Sequence, residues 1–194
     1  MPKPEEKNLR VFLFIWKVLF IFVVLNNRYE NKFYIQYSPF FSDESQAGNS
    51  VIHLIDLTDS SSFQLPFTED GIHTNSVFQF AIGIDSTTTM NTQFTGALDP
   101  GLGMYWAWNT GYIQIKISGV LWTSIQSFPF EYHLGGYRHP YITHYQKMVS
   151  LHNRTVHLSL EGFLSALPIQ GQPKIMMPGP RAWTLYQHFV SSFP

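Results

Sequence analysis

The chain has 194 residues, which is enough for one domain with a full hydrophobic core. Aromatic residues make up 16% of the chain, charged residues 13%, and the formal net charge is −1. This balance excludes the basic surface typical of a nucleic-acid-binding protein and the composition of a disordered chain, and the absence of cysteine excludes disulfides, thiolate metal sites and a catalytic cysteine.

An apolar run from Val11 to Leu25, interrupted only by Lys17, follows a polar and charged segment at residues 1–10. The run is too short for a confident membrane span, which needs about 20 apolar residues, and it has the length of the hydrophobic region of a signal peptide. We therefore predict that residues 1–31 hold an export signal or a membrane anchor. The alternative is that the run is a core strand or helix of the domain.

Short segments of alternating hydrophobicity, separated by turn residues, follow from Lys32 onward, and this pattern is typical of an antiparallel all-β protein. Polar composition predicts a loop at residues 86–89. Strands are predicted over residues 32–37, 51–57, 63–67, 77–85, 112–118, 128–134 and 155–160.

The segment from Arg181 to Ser192 differs, because its apolar residues recur at helical spacing after a Pro-Gly-Pro turn. We expect it to be a short C-terminal helix packed on the sheets through Ala182, Leu185, Tyr186, Phe189 and Val190. The predicted fold is an antiparallel β-sandwich over residues 32–194 with this helix at its end.

The stretch from Leu98 to Gly119 is the most distinctive part of the chain. It opens with an Asp-Pro-Gly turn and then places Trp106 and Trp108 two residues apart. On a strand, these two side chains would point to the same side. Either both are core aromatic residues, or one of them is exposed at a site.

Histidines are numerous for a chain with so few charged residues. Without cysteine, a transition-metal site would use imidazole together with carboxylate, backbone or aromatic groups, and imidazole suits copper, zinc, nickel and iron. No histidine spacing is specific on its own; His53 and His133, each inside an apolar strand, can equally be half-buried structural residues. The eight histidines are His53, His73, His133, His139, His144, His152, His157 and His188.

The central stretch resembles a known family. Residues 83–119 read GIDSTTTMNTQFTGALDPGLGMYWAWNTGYIQIKISG, and residues 130–136 read FEYHLGG. Together they resemble the MbnP-like copper-binding domain of methanobactin-associated periplasmic proteins, which is common in Bacteroidota. Weaker similarities extend the resemblance from about Lys32 to Phe193, including HLID at 53–56 and the segment IMMPGPRAW that leads into the C-terminal helix.

The resemblance implies a β-sandwich exported by a signal peptide to the periplasm, or anchored facing it through residues 11–25. It also implies a copper site, with copper as the cofactor, built from histidines. In the studied branch a tryptophan beside them is oxidised to kynurenine by a di-haem cytochrome c peroxidase-like partner of the MbnH type. Carried over by position, the metal-site residues are His53, His133 and Trp108, with Trp106 as the second choice for the modified position. The protein itself is then not an enzyme, and no nucleic acid is involved.

An alternative class of function is a non-enzymatic binding module. In that interpretation a sandwich displays Tyr105, Trp106, Trp108 and Tyr112 as an aromatic platform for a carbohydrate or a partner protein, because aromatic rings offer flat apolar faces with polar edges.

Overall fold

A computed structural model describes most of the chain from Glu30 onward and two shorter segments before it. The described residues are 9–14, 22–24, 30–39, 50–65, 77–91, 93–108, 111–150 and 155–192. Their strands are β1 (Leu9–Phe14), β2 (Phe22–Val24), β3 (Lys32–Pro39), β4 (Val51–Asp56), β5 (Gln64–Leu65), β6 (Val77–Ile82), β7 (Tyr105–Trp106), β8 (Gly111–Tyr112), β9 (Ile115–Trp122), β10 (Ser127–Leu134), β11 (Tyr145–Ser150), β12 (Thr155–Ser159) and β13 (Lys174–Ile175). Their α-helices are α1 (Ser86–Asn91), α2 (Glu161–Ser165) and α3 (Pro180–Val190).

Strand β3 organises the largest sheet, whose strand order is β11-β6-β3-β9-β10-β13. One edge of β3 pairs with β4 along residues 32–37. The other edge is shared, because β9 pairs with residues 32–33 and β6 pairs with residues 35–39. The sheet therefore divides at β3 and curls, and β2 adds to β9.

The remaining strands form a three-stranded sheet in the order β12-β1-β5 and the small β7-β8 pair. Most pairs are antiparallel, but β1 pairs with β12 and β10 pairs with β13 in parallel. The prediction of a mostly β protein with a short C-terminal helix is confirmed, whereas the expectation of antiparallel pairing throughout is wrong. Parallel neighbours need a crossover connection, and the chain between β10 and β13 supplies one that includes β11, β12 and α2.

Two hydrophobic cores lie on the two faces of the large sheet. The main core joins both sheets to α2 and α3, with β9 contributing Ile115 and Ile117 and β10 contributing Tyr132 and Leu134. The second, smaller core consists of Tyr34, Ile84, Leu98, Met104, Trp106, Tyr112 and Ile113. Because alternate residues of a strand point to opposite faces, β3 is buried on both sides, with Phe33 and Ile35 in the main core and Tyr34 in the second core.

Gln114 is a polar residue of the central stretch that is buried rather than exposed. Its side chain is completely buried, and its Oε1 accepts a 2.7 Å hydrogen bond from the backbone N–H of Ile84. A buried amide is tolerated because it has this partner.

Helix α3 is the predicted C-terminal helix, and its predicted apolar positions are all buried. The Tyr186 hydroxyl donates a 2.7 Å hydrogen bond to the Ile82 carbonyl and so fixes α3 to β6. The predicted polar loop at residues 86–89 is wrong, since these residues begin α1. The preceding Asp85 carboxylate accepts a 2.7 Å bond from the Thr88 N–H, which is the geometry of an N-terminal helix cap.

The apolar run at residues 11–25 contains strand residues wherever the structure describes it, in β1 and β2. Strand β1 lies between β12 and β5. Export through this segment stays a prediction. No helix within the described part of the chain is long and apolar enough to cross a membrane.

Candidate metal-binding region

The Trp106 and Trp108 rings are neighbours in very different surroundings. Their centroids are 5.8 Å apart, with 46° between the ring planes. Trp106 is 4% exposed and belongs to the second core, whereas Trp108 is 62% exposed. The structure thus realises the second of the two interpretations, in which one tryptophan is in the core and the other is at the surface.

Trp106 is held tightly by the end of β10. A Cβ atom added to Gly135 would lie 2.8 Å from its Cζ3 atom and 2.7 Å from the carbonyl oxygen of Tyr112. Glycine is therefore needed at position 135 for the close approach of the indole and the β8 backbone. The Trp106 Nε1 atom is buried and has no hydrogen-bond partner within the described residues.

Trp108 lines two surface cavities. One is about 640 Å³ and extends along residues 174–182, and the other is about 240 Å³ and is bordered by residues 136–141. Trp108, Met177 and Pro178 line both. His139 lines the smaller cavity, and it is the histidine that shares a cavity with Trp108.

His133 is buried on β10, with 7% of its surface exposed. The Oε1 oxygen of Glu131 lies 3.1 Å from its Nε2, whereas its Nδ1 is buried without a hydrogen-bond partner within the described residues. Burial lowers the pKa of His133 and Lys116 lowers it further, while Glu131 opposes both effects. The lowered pKa favours the neutral imidazole, which is the form that binds metal.

His133 is one end of a charged row that crosses four strands. Asp56, Lys32, Lys116 and His133 are consecutive cross-strand partners on β4, β3, β9 and β10. The Glu30 carboxylate contacts both lysines, forming an ion pair with Lys116 and lying 3.8 Å from the Lys32 ammonium. Cross-strand partners share a face of the sheet, so the row lies on the face opposite the main core.

The loop before β7 covers the two lysines of this row. The Lys32 ammonium donates a 3.2 Å hydrogen bond to the Leu102 carbonyl, and the Lys116 ammonium donates a 3.3 Å bond to the Gly103 carbonyl. Gly103 adopts a positive φ of 74°, and a Cβ there would lie 3.1 Å from a Glu30 oxygen. The loop that begins with the Asp-Pro-Gly turn therefore covers the charged cluster of Glu30, Lys32 and Lys116.

His53 lies on the other face of the sheet from His133. It is the cross-strand partner of Ile35, a main-core residue, whereas His133 shares a face with Lys116. Its Nε2–H donates a 2.7 Å hydrogen bond to the Ser62 carbonyl. Burial lowers the pKa of His53, and this hydrogen bond partly offsets the effect.

The expected donors therefore do not fit copper as one set. His133 has a buried Nδ1 without a hydrogen-bond partner, but His53 points to the opposite face, and neither histidine lines the cavities at Trp108. Across the described ranges, no group of three or more histidine, aspartate or glutamate side chains is arranged to hold a metal ion.

The alternative aromatic platform does not form either. Tyr112 and Trp106 are buried, Tyr105 is partly buried, and of the four rings only Trp108 is exposed. Sequence reasoning missed Met177 and His139 as neighbours of Trp108. The available signals were the Met-Met-Pro turn before α3 and the position of His139 in a loop, and neither indicates which strand end lies nearby.

Comparison with known proteins gives one family. No curated protein and no solved structure matches the chain significantly. The model of the MbnP family matches residues 24–176, which include β3, the Trp106–Trp108 stretch and β10 and end at Met176. This chain belongs to the MbnP family.

Proposed function

We propose that this protein is a copper-binding protein of the periplasm that is not itself an enzyme and folds as the β-sandwich typical of its family. Membership of the MbnP family, which is associated with methanobactin and copper, is the observation that carries the proposal. The position of Trp108 supports it, because its exposed ring lines two surface cavities and concave surfaces are where ligands bind.

Trp108, rather than Trp106, is the tryptophan we propose for oxidation to kynurenine. In the conversion, peroxide used by the partner adds two oxygen atoms and opens the indole ring to N-formylkynurenine, with water formed from the peroxide. Hydrolysis then releases the formyl carbon as formate and leaves kynurenine. Trp106 is enclosed by Gly135 and the second core, so ring opening there would need the core to rearrange. Trp108 is exposed, and a di-haem peroxidase-type partner could approach it.

Export of the protein to the periplasm is the part of the proposal that concerns its location. A periplasmic location would place the protein with such an oxidising partner, and the apolar run at residues 11–25 is the candidate signal or anchor. Cell fractionation and sequencing of the mature N-terminus test this part, because a chain that stays in the cytoplasm would contradict it.

Metal loading tests the central part of the proposal. The protein, produced in an exporting host, is incubated without oxygen with Cu(I) buffered by a chromogenic chelator, and the fraction of copper taken from the chelator is measured. Uptake by the wild-type protein supports copper binding, and no uptake above that of a protein-free blank contradicts it. Intact mass and peptide mapping on the same sample report whether Trp108 is modified.

A further inference from the structure

The larger of the two cavities, which extends along residues 174–182, combines an apolar wall with two cationic side chains. Its volume of about 640 Å³ lies within the range of about 300–1,000 Å³ that is usual for small-molecule sites. We propose that this cavity binds a small amphipathic organic anion, whose apolar part covers the wall and whose anionic group meets Lys174 and Arg181. This inference goes beyond the proposed function, because it requires neither copper nor one particular chemical form of Trp108.

The first argument is that both walls of the cavity are fixed to the main core. The Glu131 N–H donates a 2.8 Å hydrogen bond to the Pro173 carbonyl. The Tyr132 hydroxyl donates a 2.8 Å hydrogen bond to the Gln172 carbonyl, so β10 holds the chain that leads into β13. On the other side of the cavity, Ala182 of α3 is buried in the main core. A cavity whose walls are already ordered loses little affinity to ordering them when a ligand binds.

The second argument is the apolar surface that the cavity leaves in contact with water. Ile175 is buried in the main core, whereas Met176 and Met177, which follow it, are 40% and 60% exposed. All three residues line the cavity. Removing apolar surface from water is favourable in proportion to its area, and methionine adapts to ligands of different shape because its side chain has three rotatable bonds. The wall is therefore suited to an apolar tail or ring.

The third argument is the charge of the cavity. Lys174 and Arg181 are its charged residues, and no carboxylate belongs to its described lining. No ion pair in the described part of the chain involves either side chain. Glu131 is the cross-strand partner of Lys174, but its Oε1 atom lies 3.1 Å from the Nε2 of His133, and it does not line the cavity. An anion is therefore attracted to the cavity, whereas a cation is repelled.

These two properties together define the class of ligand. A neutral apolar ligand would cover the methionines but would gain nothing from the two cations, and an inorganic anion would do the reverse. A medium-chain carboxylate has both parts, and the planar guanidinium of Arg181 can donate two hydrogen bonds to one carboxylate. Decanoate is the probe of this class that we choose.

The test measures how decanoate displaces the fluorescent amphipathic anion 8-anilinonaphthalene-1-sulfonate from the wild-type protein. Decanol and decyltrimethylammonium are the matched competitors, because they carry the same chain with no charge and with a positive charge. We expect saturable displacement from one site by decanoate, displacement about 10-fold weaker by decanol, and none by the cation, since two exposed charges contribute modestly to affinity. Intact mass on the same sample records the form of Trp108.

Matched variants locate the binding. Lys174→Glu and Arg181→Glu test the place of the anionic group, and Met177→Ser tests the apolar wall. Their controls are Lys147→Glu and Met148→Ser on β11, which lies at the opposite edge of the large sheet. All five residues are exposed, and thermal unfolding confirms that each variant is folded.

Each charge reversal at the cavity should weaken decanoate binding by about 3-fold to 10-fold, and added salt should weaken it further. Met177→Ser should weaken the binding of decanoate and of decanol alike by about 3-fold to 10-fold, because both lose the same apolar contact. The control variants should bind like the wild type. Trp108→Leu should still bind decanoate, since most of the lining belongs to residues 172–182.

Two results would overturn the inference. One is equal displacement by decanoate and decanol, or charge-reversed variants that bind decanoate as tightly as Lys147→Glu, because the cavity would then not recognise an anion. The other is no displacement by decanoate at all, which would leave the cavity without this class of ligand. Copper uptake is measured separately, so failure of either the inference or the proposed function leaves the other standing.

Discussion

Trp106 and Trp108 are adjacent rings with opposite surroundings, since Trp106 packs against Gly135 in the second core and Trp108 lies open between two cavities. The buried ring fixes the strand, and the strand then presents the exposed ring at a constant position. This relationship connects the stability of the fold to the site proposed for copper.

Gly135→Ala should disturb this arrangement. The new Cβ would meet the Tyr112 carbonyl oxygen and the Trp106 ring at distances below 3 Å, so the backbone or the indole must move. Overpacking of this kind costs about 1–3 kcal/mol of unfolding free energy, which urea denaturation measures. Gly171→Ala is the control, because nothing lies within 4 Å of a Cβ at that position. Equal stability of the two variants would contradict the close packing described here.

Glu30→Gln should lower the free energy of unfolding, because it leaves the repulsion between Lys32 and Lys116 without a compensating negative charge. These lysines are direct cross-strand partners, and like charges in that position are destabilising. Because the Glu30 carboxylate is about half exposed, its screening by water limits the expected loss to about 1 kcal/mol. Adding Lys116→Met to Glu30→Gln should recover part of the loss, and urea denaturation of the single and double variants measures both effects. No loss in Glu30→Gln would mean that the charge cluster does not support the sheet.

His144 should make the protein less stable in mild acid. Its Nε2 is buried with no hydrogen-bond partner within the described residues, and burial lowers its pKa while Asp85 partly opposes the shift. The unfolded chain then binds a proton more readily, so the stability present above the unfolded pKa of about 6.5 is lost as the pH falls through the lower folded pKa. The slope for one such group is at most about 1.4 kcal/mol per pH unit.

The corresponding measurement is the unfolding free energy of the wild-type protein and of His144→Gln as a function of pH, from above the unfolded pKa of about 6.5 to mildly acidic values. His53 and His133 also have lowered pKa values, so the variant should keep a shallower dependence rather than none. A dependence as steep as that of the wild type would rule out His144 as a contributor.

Tyr186→Phe should loosen helix α3 from the sheet. The change removes the hydroxyl that donates to the Ile82 carbonyl, and the net loss of one such hydrogen bond costs about 0.5–1.5 kcal/mol. Thermal or urea unfolding gives the value. Tyr105→Phe is the control, since its ring packs against Phe94 and Tyr112 and both contacts survive the change. A smaller loss in Tyr186→Phe than in Tyr105→Phe would contradict this role of the hydroxyl.

Sequence patterns predicted those elements whose periodicity matches their burial. Helix α3 is the best case, because Ala182 to Val190 repeat at helical spacing and all of the predicted positions are buried. Strand β12 is another, since Val156 and Leu158 are buried while His157 between them is exposed. A polar run such as Ser86–Thr89 misled the prediction, because its helix depends on the Asp85 cap and on packing rather than on composition.

The candidate site was less predictable, since it depends on which strands become neighbours. The local sequences around His53 and His133 do not predict that His53 faces the main core and His133 belongs to the charged row. The register between neighbouring strands determines both orientations. The parallel pairing of β13 with β10 joins segments about 40 residues apart, and no local pattern predicts such a long-range pairing.

The most direct test of the copper account is X-ray absorption at the copper edge on wild-type protein loaded with Cu(I). The account predicts bound Cu(I) that stays with the protein when unbound metal is removed, with nitrogen neighbours from imidazole. A protein that retains no copper would contradict it.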